Sequence, residues 1–143
     1  MFDTAKLDAE VLLAETVQQN RTWLKTWSDK ALTPEQVLAF EEKVERRRNG
    51  EPVAYIIGQQ DFWTLSLKVT PATLIPRPET EHLVELALTK IAREDNHRVV
   101  DLGTGTGAIA LAVASERPKA ELWAMDLSAD ALDVAEHNRQ KYE

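Results

Sequence analysis

The amino-acid sequence predicts an α/β protein, in which a helical N-terminal part is followed by a β-hairpin and the beginning of a parallel sheet. Apolar residues recur at helical spacing in the first 50 residues, and they alternate with polar residues over 65–70. From residue 98 onward the pattern is strand, helix, strand, helix, which is the order of a parallel βαβ unit. We therefore expect a helical domain at 1–50, a hairpin linker at 51–76 and an incomplete cofactor-binding domain at 77–143.

The composition excludes several classes of function. The 143 residues carry a formal net charge of −7, and this acidic surplus argues against direct binding to nucleic acid, which needs clustered Lys and Arg. Since no cysteine is present, a disulfide framework, a thiolate metal site and a cysteine nucleophile are excluded. The three histidines show no ligand spacing, so no metal is expected. Neither a membrane-spanning apolar run nor a signal-peptide pattern occurs, and we expect a cytoplasmic location.

The first predicted helix covers 4–19 and ends near Asn20. Trp23 and Trp27 follow, four residues apart, and we expect them to anchor a core between helices; the alternative is a stacking platform for a ligand. The apolar stripe of the first helix consists of Leu7, Val11, Ala14 and Val17.

A second long helix begins at Thr33-Pro34-Glu35-Gln36. Thr33 is the predicted N-cap, Pro34 suits the first helical position and Gln36 completes a capping box. The helix ends in Arg46-Arg47-Arg48-Asn49-Gly50, where cations meet the negative end of the helix dipole. That interpretation explains the arginines without a ligand, although contact with RNA or an acidic partner is the alternative.

The hairpin is predicted from Leu65, Leu67 and Val69, which alternate with polar residues, and from Asp61-Phe62-Trp63 as the partner strand. Two prolines then stiffen the chain around Arg77, which is either an interdomain turn or a wall of the active site. A helix is expected over 78–93. Its predicted buried residues are Leu83, Val84, Ala87, Leu88 and Ile91.

The stretch Asp101-Leu102-Gly103-Thr104-Gly105-Thr106-Gly107 predicts a cofactor loop between a strand at 98–102 and a helix at 108–116. Alternating glycines let a ligand approach the backbone, and we expect the loop N–H groups to form a polar cradle. Asp126 ends the next predicted strand, at 121–126, and can accept both hydroxyls of a ribose. Ser128 then caps a final helix.

Two classes of cofactor fit this loop. Gly103-x-Gly105-x-x-Ala108 matches the loose dinucleotide fingerprint. Asp101, two residues before the first glycine, instead favours S-adenosylmethionine, because a carboxylate attracts its sulfonium and amino groups and repels a pyrophosphate. We therefore favour the methyl donor.

Taken together with the stretches 8–13, 47–55 and 71–81, the glycine loop 101–111 resembles the HemK-type protein glutamine methyltransferases that modify peptide chain release factors. The resemblance covers nearly the whole chain. It implies a helical substrate-recognition domain, a hairpin linker and the first part of a class I Rossmann-like, S-adenosylmethionine-dependent methyltransferase domain.

The resemblance also implies an activity. The family uses S-adenosyl-L-methionine to methylate the side-chain amide of the glutamine in the Gly-Gly-Gln motif of release factors, a protein methylation that acts in translation termination. Arg77 would border the active site, and Asp126 would hold the ribose hydroxyls. The residues lining the methionine and ribose part of the cofactor would be Gly103, Thr104, Gly105, Thr106 and Gly107.

One departure from the family concerns catalysis. The Asn-Pro-Pro-Tyr motif that holds the acceptor amide in this family does not occur here, so no catalytic residue is assigned. We expect a truncated, N-terminal part of the enzyme that is inactive alone and has an open sheet edge. Two alternatives stay open: a methyltransferase acting on another protein or on adenine in nucleic acid, and a non-catalytic partner-binding module.

Overall fold

A computed structural model describes residues 3–94 and 96–142. The chain divides into two compact units, Met1–Ile57 and Gly58–Glu143. The three-part division into 1–50, 51–76 and 77–143 stays a prediction. The structure groups residues 51–57 with the first unit and the hairpin with the second.

The first unit is helical. Its helices are α1 (Asp3–Thr16), α2 (Arg21–Thr26), α3 (Pro34–Arg48) and α4 (Val53–Ile57). Its buried apolar side chains belong to α1 and α4: Leu12, Ala14, Ala54 and Ile56. In the described parts of the chain, no helix combines the length and the apolar character needed to cross a membrane.

The predicted capping box at the start of α3 is confirmed. The Gln36 N–H donates to Thr33 Oγ1 at 3.3 Å, and the Thr33 N–H donates to Gln36 Oε1 at 3.0 Å. At the other end, Arg46 pairs with Glu51 and Arg47 pairs with Asp8. These ion pairs give the basic end of α3 a structural role within its own unit.

Three predictions for the first unit are wrong. α1 ends at Thr16, and Asn20 does not end it but caps α2 by accepting the Trp23 N–H at 2.8 Å. Trp27 is 55% exposed, because α2 is only six residues long and this ring lies just beyond its last turn. In the predicted stripe Leu7 is exposed, whereas Ala14 is buried as predicted, and Leu12, which the stripe left out, is also buried.

The second unit begins with a hairpin of β1 (Gln59–Phe62) and β2 (Leu65–Lys68), as predicted. The strands are antiparallel, with Gln59 opposite Lys68. A 3-10 turn (Pro78–Thr80) leads into the remaining elements, which are α5 (Glu81–Lys90), β3 (Arg98–Leu102), α6 (Ala108–Glu116), β4 (Glu121–Met125) and α7 (Ala129–Lys141).

The predicted βαβ unit is confirmed. β3 and β4 are parallel, with Arg98 opposite Glu121. The core of the second compact unit consists of side chains from the hairpin, from α5 with its C-cap and from α6. These are Phe62, Leu65, Leu67, Val84, Ile91, Ala108, Ala112 and Val113. The helix predicted over 78–93 is shorter, and Leu83, predicted buried, is 52% exposed on α5.

One face of the β3–β4 sheet is uncovered in the described structure. Val99 and Leu122 face the core, whereas the alternate side chains point the other way. On that other face Val100 lies opposite Trp123 and Leu102 lies opposite Met125, and all four are more than half exposed. The paired strands therefore present a contiguous apolar surface.

Two side chains, one on α7 and one just after it, hydrogen-bond to the edge of β2 that does not pair with β1. Tyr142 Oη accepts the Ser66 N–H at 2.6 Å and donates to the Ser66 carbonyl at 2.8 Å. Asn138 makes the equivalent pair of bonds with Lys68, at 2.7 and 3.0 Å. Backbone groups that a neighbouring strand would otherwise pair are thus satisfied by these two side chains.

The Thr33 cap gives a first testable prediction. Thr33→Ala removes the acceptor for the Gln36 N–H, and we expect it to lower the free energy of unfolding by about 1 kcal/mol. Urea unfolding followed by circular dichroism measures this loss. Thr33→Ser retains the hydroxyl and serves as the control, so an equal loss in both variants would contradict the capping role.

Candidate cofactor site

The loop from Gly103 to Gly107 connects β3 to α6 with an alternating backbone. Gly103, Gly105 and Gly107 have φ angles of +77°, +55° and +81°. Residues with side chains rarely adopt this left-handed region. The alternation of glycine in the sequence is therefore required by the path of the turn.

The three glycines differ in their surroundings. A Cβ atom placed on Gly103 or Gly105 would meet no atom within 4 Å, so the space above both residues is open. A Cβ on Gly107 would lie 3.4 Å from both Ala135 Cβ and Leu111 Cδ1. The first two glycines leave room for a ligand, and the third lets the loop pack closely against α7.

The prediction that the loop N–H groups form a cradle for a ligand is wrong for four of them, because the protein itself supplies their acceptors. The N–H groups of Gly103 and Thr104 both donate to the carbonyl of Met125, at 2.8 and 2.9 Å, and that of Gly107 donates to the carbonyl of Thr104. The Gly105 N–H donates to Asp126 Oδ2 at 2.9 Å. Met125 and Asp126, at the end of the neighbouring parallel strand, accept three of these N–H groups, and the loop itself accepts the fourth, so all four are already satisfied within the protein.

Asp126, predicted to end the strand, lies one residue beyond β4, and both of its oxygens are engaged. Oδ2 accepts the Gly105 N–H, and Oδ1 accepts the Ser128 N–H at 3.0 Å. These bonds, that from Ser128 most of all, hold the pKa of the Asp126 carboxyl below its ordinary value. A carboxylate offers about four lone-pair positions, so Asp126 can anchor the loop and still accept hydroxyl groups of a ligand.

The threonines of the loop turn inward. Thr104 Oγ1 donates to Asp101 Oδ2 at 2.7 Å, which fixes that carboxylate at the end of β3. Thr104 and Thr106 are both buried. Their membership of the cofactor-binding set stays a prediction, and the described contacts give them a supporting position beneath the glycines.

Sequence reasoning missed Asn138. It is fully buried on α7, and its Nδ2 donates to the carbonyl of Thr106 at 2.9 Å. One signal could have revealed it, because Asn138 lies seven residues after Ala131 and four after Val134, at the spacing of the buried stripe. A polar residue at such a position needs hydrogen-bond partners.

Arg77 lies immediately before the 3-10 turn, in extended backbone conformation, and is exposed. Its predicted place beside the active site stays a prediction. Across residues 3–94 and 96–142, no group of three or more His, Asp or Glu side chains is arranged to hold a metal ion.

Two family models match separate parts of this chain. Residues 2–58 match the model of the PrmC N-terminal domain, and residues 80–143 match that of the methyltransferase small domain. A crystal structure of a protein-(glutamine-N5) methyltransferase (release factor-specific) from Alicyclobacillus acidocaldarius aligns with 50% of this chain and 44% of its own, at 44% identity and a TM-score of 0.35.

Curated relatives match almost the full length of this chain. The release factor glutamine methyltransferase of Vibrio cholerae is 52% identical over 136 residues, which are 95% of this chain and 47% of that protein. The protein of the same name from Escherichia coli K12 is 48% identical over 138 residues, 96% of this chain and 50% of that protein. The chain thus spans about half the length of the curated relatives it matches. In sequence, it is similar to release factor glutamine methyltransferases over about half of their length.

Proposed function

We propose that this chain carries the S-adenosyl-L-methionine half-site of an enzyme that methylates the glutamine side chain of the Gly-Gly-Gln motif in peptide chain release factors. The observation that carries the proposal is the hydrogen bond from the Gly105 N–H to the carboxylate of Asp126. It places a negative charge where a phosphate-binding loop would offer a free donor.

The loop N–H groups and the nearby carboxylates favour one of the two cofactor classes. A dinucleotide needs N–H groups for its pyrophosphate, but those of Gly103, Thr104 and Gly105 already have protein acceptors. Asp101 adds a carboxylate near the end of β3, whereas an acid at the place of Asp126 is common to both cofactor classes. This environment repels a pyrophosphate and attracts the sulfonium and ammonium groups of S-adenosylmethionine.

The open space above Gly103 and Gly105 lies beside Asp126, whose remaining lone pairs can accept the hydroxyls of the ribose. Asp101, held by Thr104, can attract the cationic methionine portion. Bound S-adenosylmethionine supplies a methyl group that its sulfonium makes electrophilic. The residues of this chain would bind and orient the cofactor, which is a large part of catalysis when the methyl donor is already reactive.

Release factors are the proposed protein partners, since the curated relatives are named for them. We assign substrate recognition to the helical unit, and a cytoplasmic location follows from a substrate that acts in translation. The Asn-Pro-Pro-Tyr motif expected to hold the acceptor amide does not occur in the 143 residues. We therefore assign cofactor binding to this chain, without methyl transfer by these residues alone.

Cofactor titration tests the half-site. We expect calorimetry to show S-adenosylmethionine binding and no NAD binding, and we expect Asp126→Ala to weaken the former at least about tenfold, since hydrogen bonds to a charged group are lost. Asp133→Ala removes an equal charge from an exposed position of α7 and is the matched control. Tight NAD binding without S-adenosylmethionine binding would overturn the assignment.

The pKa of Asp126 can be measured directly. Its hydrogen bonds lower the folded-state pKa below the ordinary value of 3.8. The stabilisation from this carboxylate is therefore complete above the unfolded-state pKa, and it is lost as the pH falls through the lower folded-state value. Carbon-13 NMR of the carboxyl group should give a midpoint below that of the same residue in the urea-unfolded chain. Equal midpoints would show that these bonds do not favour the ionised form.

Methyl transfer itself is tested with purified release factor and radiolabelled S-adenosylmethionine. We expect residues 1–143 to produce no methylglutamine, because no residue is assigned to hold the acceptor amide. Robust turnover by this chain would contradict that expectation. Methylation of adenine in DNA or RNA, with none of release factor, would support the alternative substrate class.

A further inference from the structure

The side chain of Asn138 makes hydrogen bonds to two separate segments of the second unit. Its Oδ1 accepts the Lys68 N–H at 2.7 Å, while its Nδ2 donates to the carbonyls of Lys68 at 3.0 Å and Thr106 at 2.9 Å. The residue is fully buried. One side chain of α7 thus connects the edge of the hairpin with the glycine loop.

The chemistry of these partners fixes the orientation of the amide. Two carbonyl oxygens face the NH₂ group, and one N–H faces the oxygen. The reversed amide would place its oxygen against two acceptors and its NH₂ against a donor, at the cost of three buried hydrogen bonds. The side chain therefore holds the Thr106 carbonyl in one position relative to β2.

Thr106 lies between Gly105 and Gly107, so its carbonyl is part of the turn itself. On one side, the Gly105 N–H is held by Asp126 from the end of β4. On the other, the Thr106 carbonyl is held by Asn138 from α7. Adjacent residues of the loop are thereby fixed from two different elements, which restrains a segment whose glycines would otherwise have wide backbone freedom.

We infer that Asn138 is a positioning residue for the cofactor loop: it sets the Gly105–Gly107 turn in the conformation that receives S-adenosylmethionine, without touching the cofactor. The inference deepens the proposed function and rests on it for the identity of the ligand. The positional claim stands on the three hydrogen bonds alone. If Asn138 only stabilised the fold, replacing it would not change the cofactor affinity together with the order of this loop.

Tyr142, the residue that caps the C-terminal end of α7, provides a matched control. Its hydroxyl makes two hydrogen bonds to the backbone of Ser66, the same type of edge contact that Asn138 makes to Lys68. Neither bond involves the glycine loop. Tyr142→Phe therefore weakens the contact between α7 and β2 while leaving the Thr106 carbonyl with its partner.

The experiment compares Asn138→Ala and Tyr142→Phe with the unchanged protein, using hydrogen exchange of the amides in 103–107 and calorimetric titration with S-adenosylmethionine. Both measurements are made at a temperature where circular dichroism shows all three proteins folded. We expect Asn138→Ala to exchange the loop amides at least about tenfold faster and to bind the cofactor about tenfold more weakly. Tyr142→Phe should change either quantity less than twofold.

Asn138→Ser is a milder second variant, because its shorter hydroxyl side chain can still satisfy a single partner; an intermediate effect on both quantities is expected. Unchanged loop exchange in the Asn138 variants overturns the inference, as does equal loosening in Tyr142→Phe. If neither Asn138 variant folds while Tyr142→Phe does, the role lies in the whole fold, and the specific inference is again overturned.

The two proposals fail separately. If the unchanged protein does not bind S-adenosylmethionine, the proposed function fails, and faster loop exchange in Asn138→Ala alone still supports the positioning role. If the unchanged protein binds the cofactor and Asn138→Ala binds it equally well with a loosened loop, the proposed function stands. The link between Asn138 and cofactor affinity is then overturned.

Discussion

The left-handed backbone at Gly103, Gly105 and Gly107 is the constraint that shapes the second unit. It turns the chain from β3 into α6 within the five residues Gly103–Gly107, and it aims the loop N–H groups at the end of β4. At Gly107 the missing side chain also allows α7 to approach within van der Waals distance. A larger residue at any of these positions would strain the turn, and at Gly107 it would also press against the helix that seals the hairpin.

The carboxylate of Asp126 changes what such a loop can bind. A glycine-rich turn before a helix normally offers its N–H groups to an anion. Here one of those donors is bonded to a carboxylate, and two others are bonded to the carbonyl of Met125. The same backbone path thereby favours a cationic ligand, with the nearby Asp101 adding to the negative potential. In the proposed function, the carboxylate of Asp101, rather than the glycine spacing, distinguishes the two cofactor classes.

Sequence reasoning succeeded where local signals determine structure. The capping box at Thr33 and the strand and helix limits from Arg98 to Glu116 depend on residues close together in the chain. It failed where tertiary packing decides, as for the exposed Trp27 and Leu7. Asn138 was missed because its partners are backbone groups of Lys68 and Thr106, which are distant in sequence. The use of the loop N–H groups likewise depends on Met125, whose carbonyl position follows from strand pairing.

The sealing of β2 by α7 has a consequence for the order of events during synthesis. The hairpin leaves the ribosome well before Asn138 and Tyr142 are made, so the backbone edge at Ser66 and Lys68 first emerges without its final partners. An unpaired strand edge is a template for pairing with other chains. Contacts between residues so far apart in sequence also slow folding. The nascent hairpin is therefore exposed to misassembly until α7 and Tyr142 are made and bond to the edge of β2.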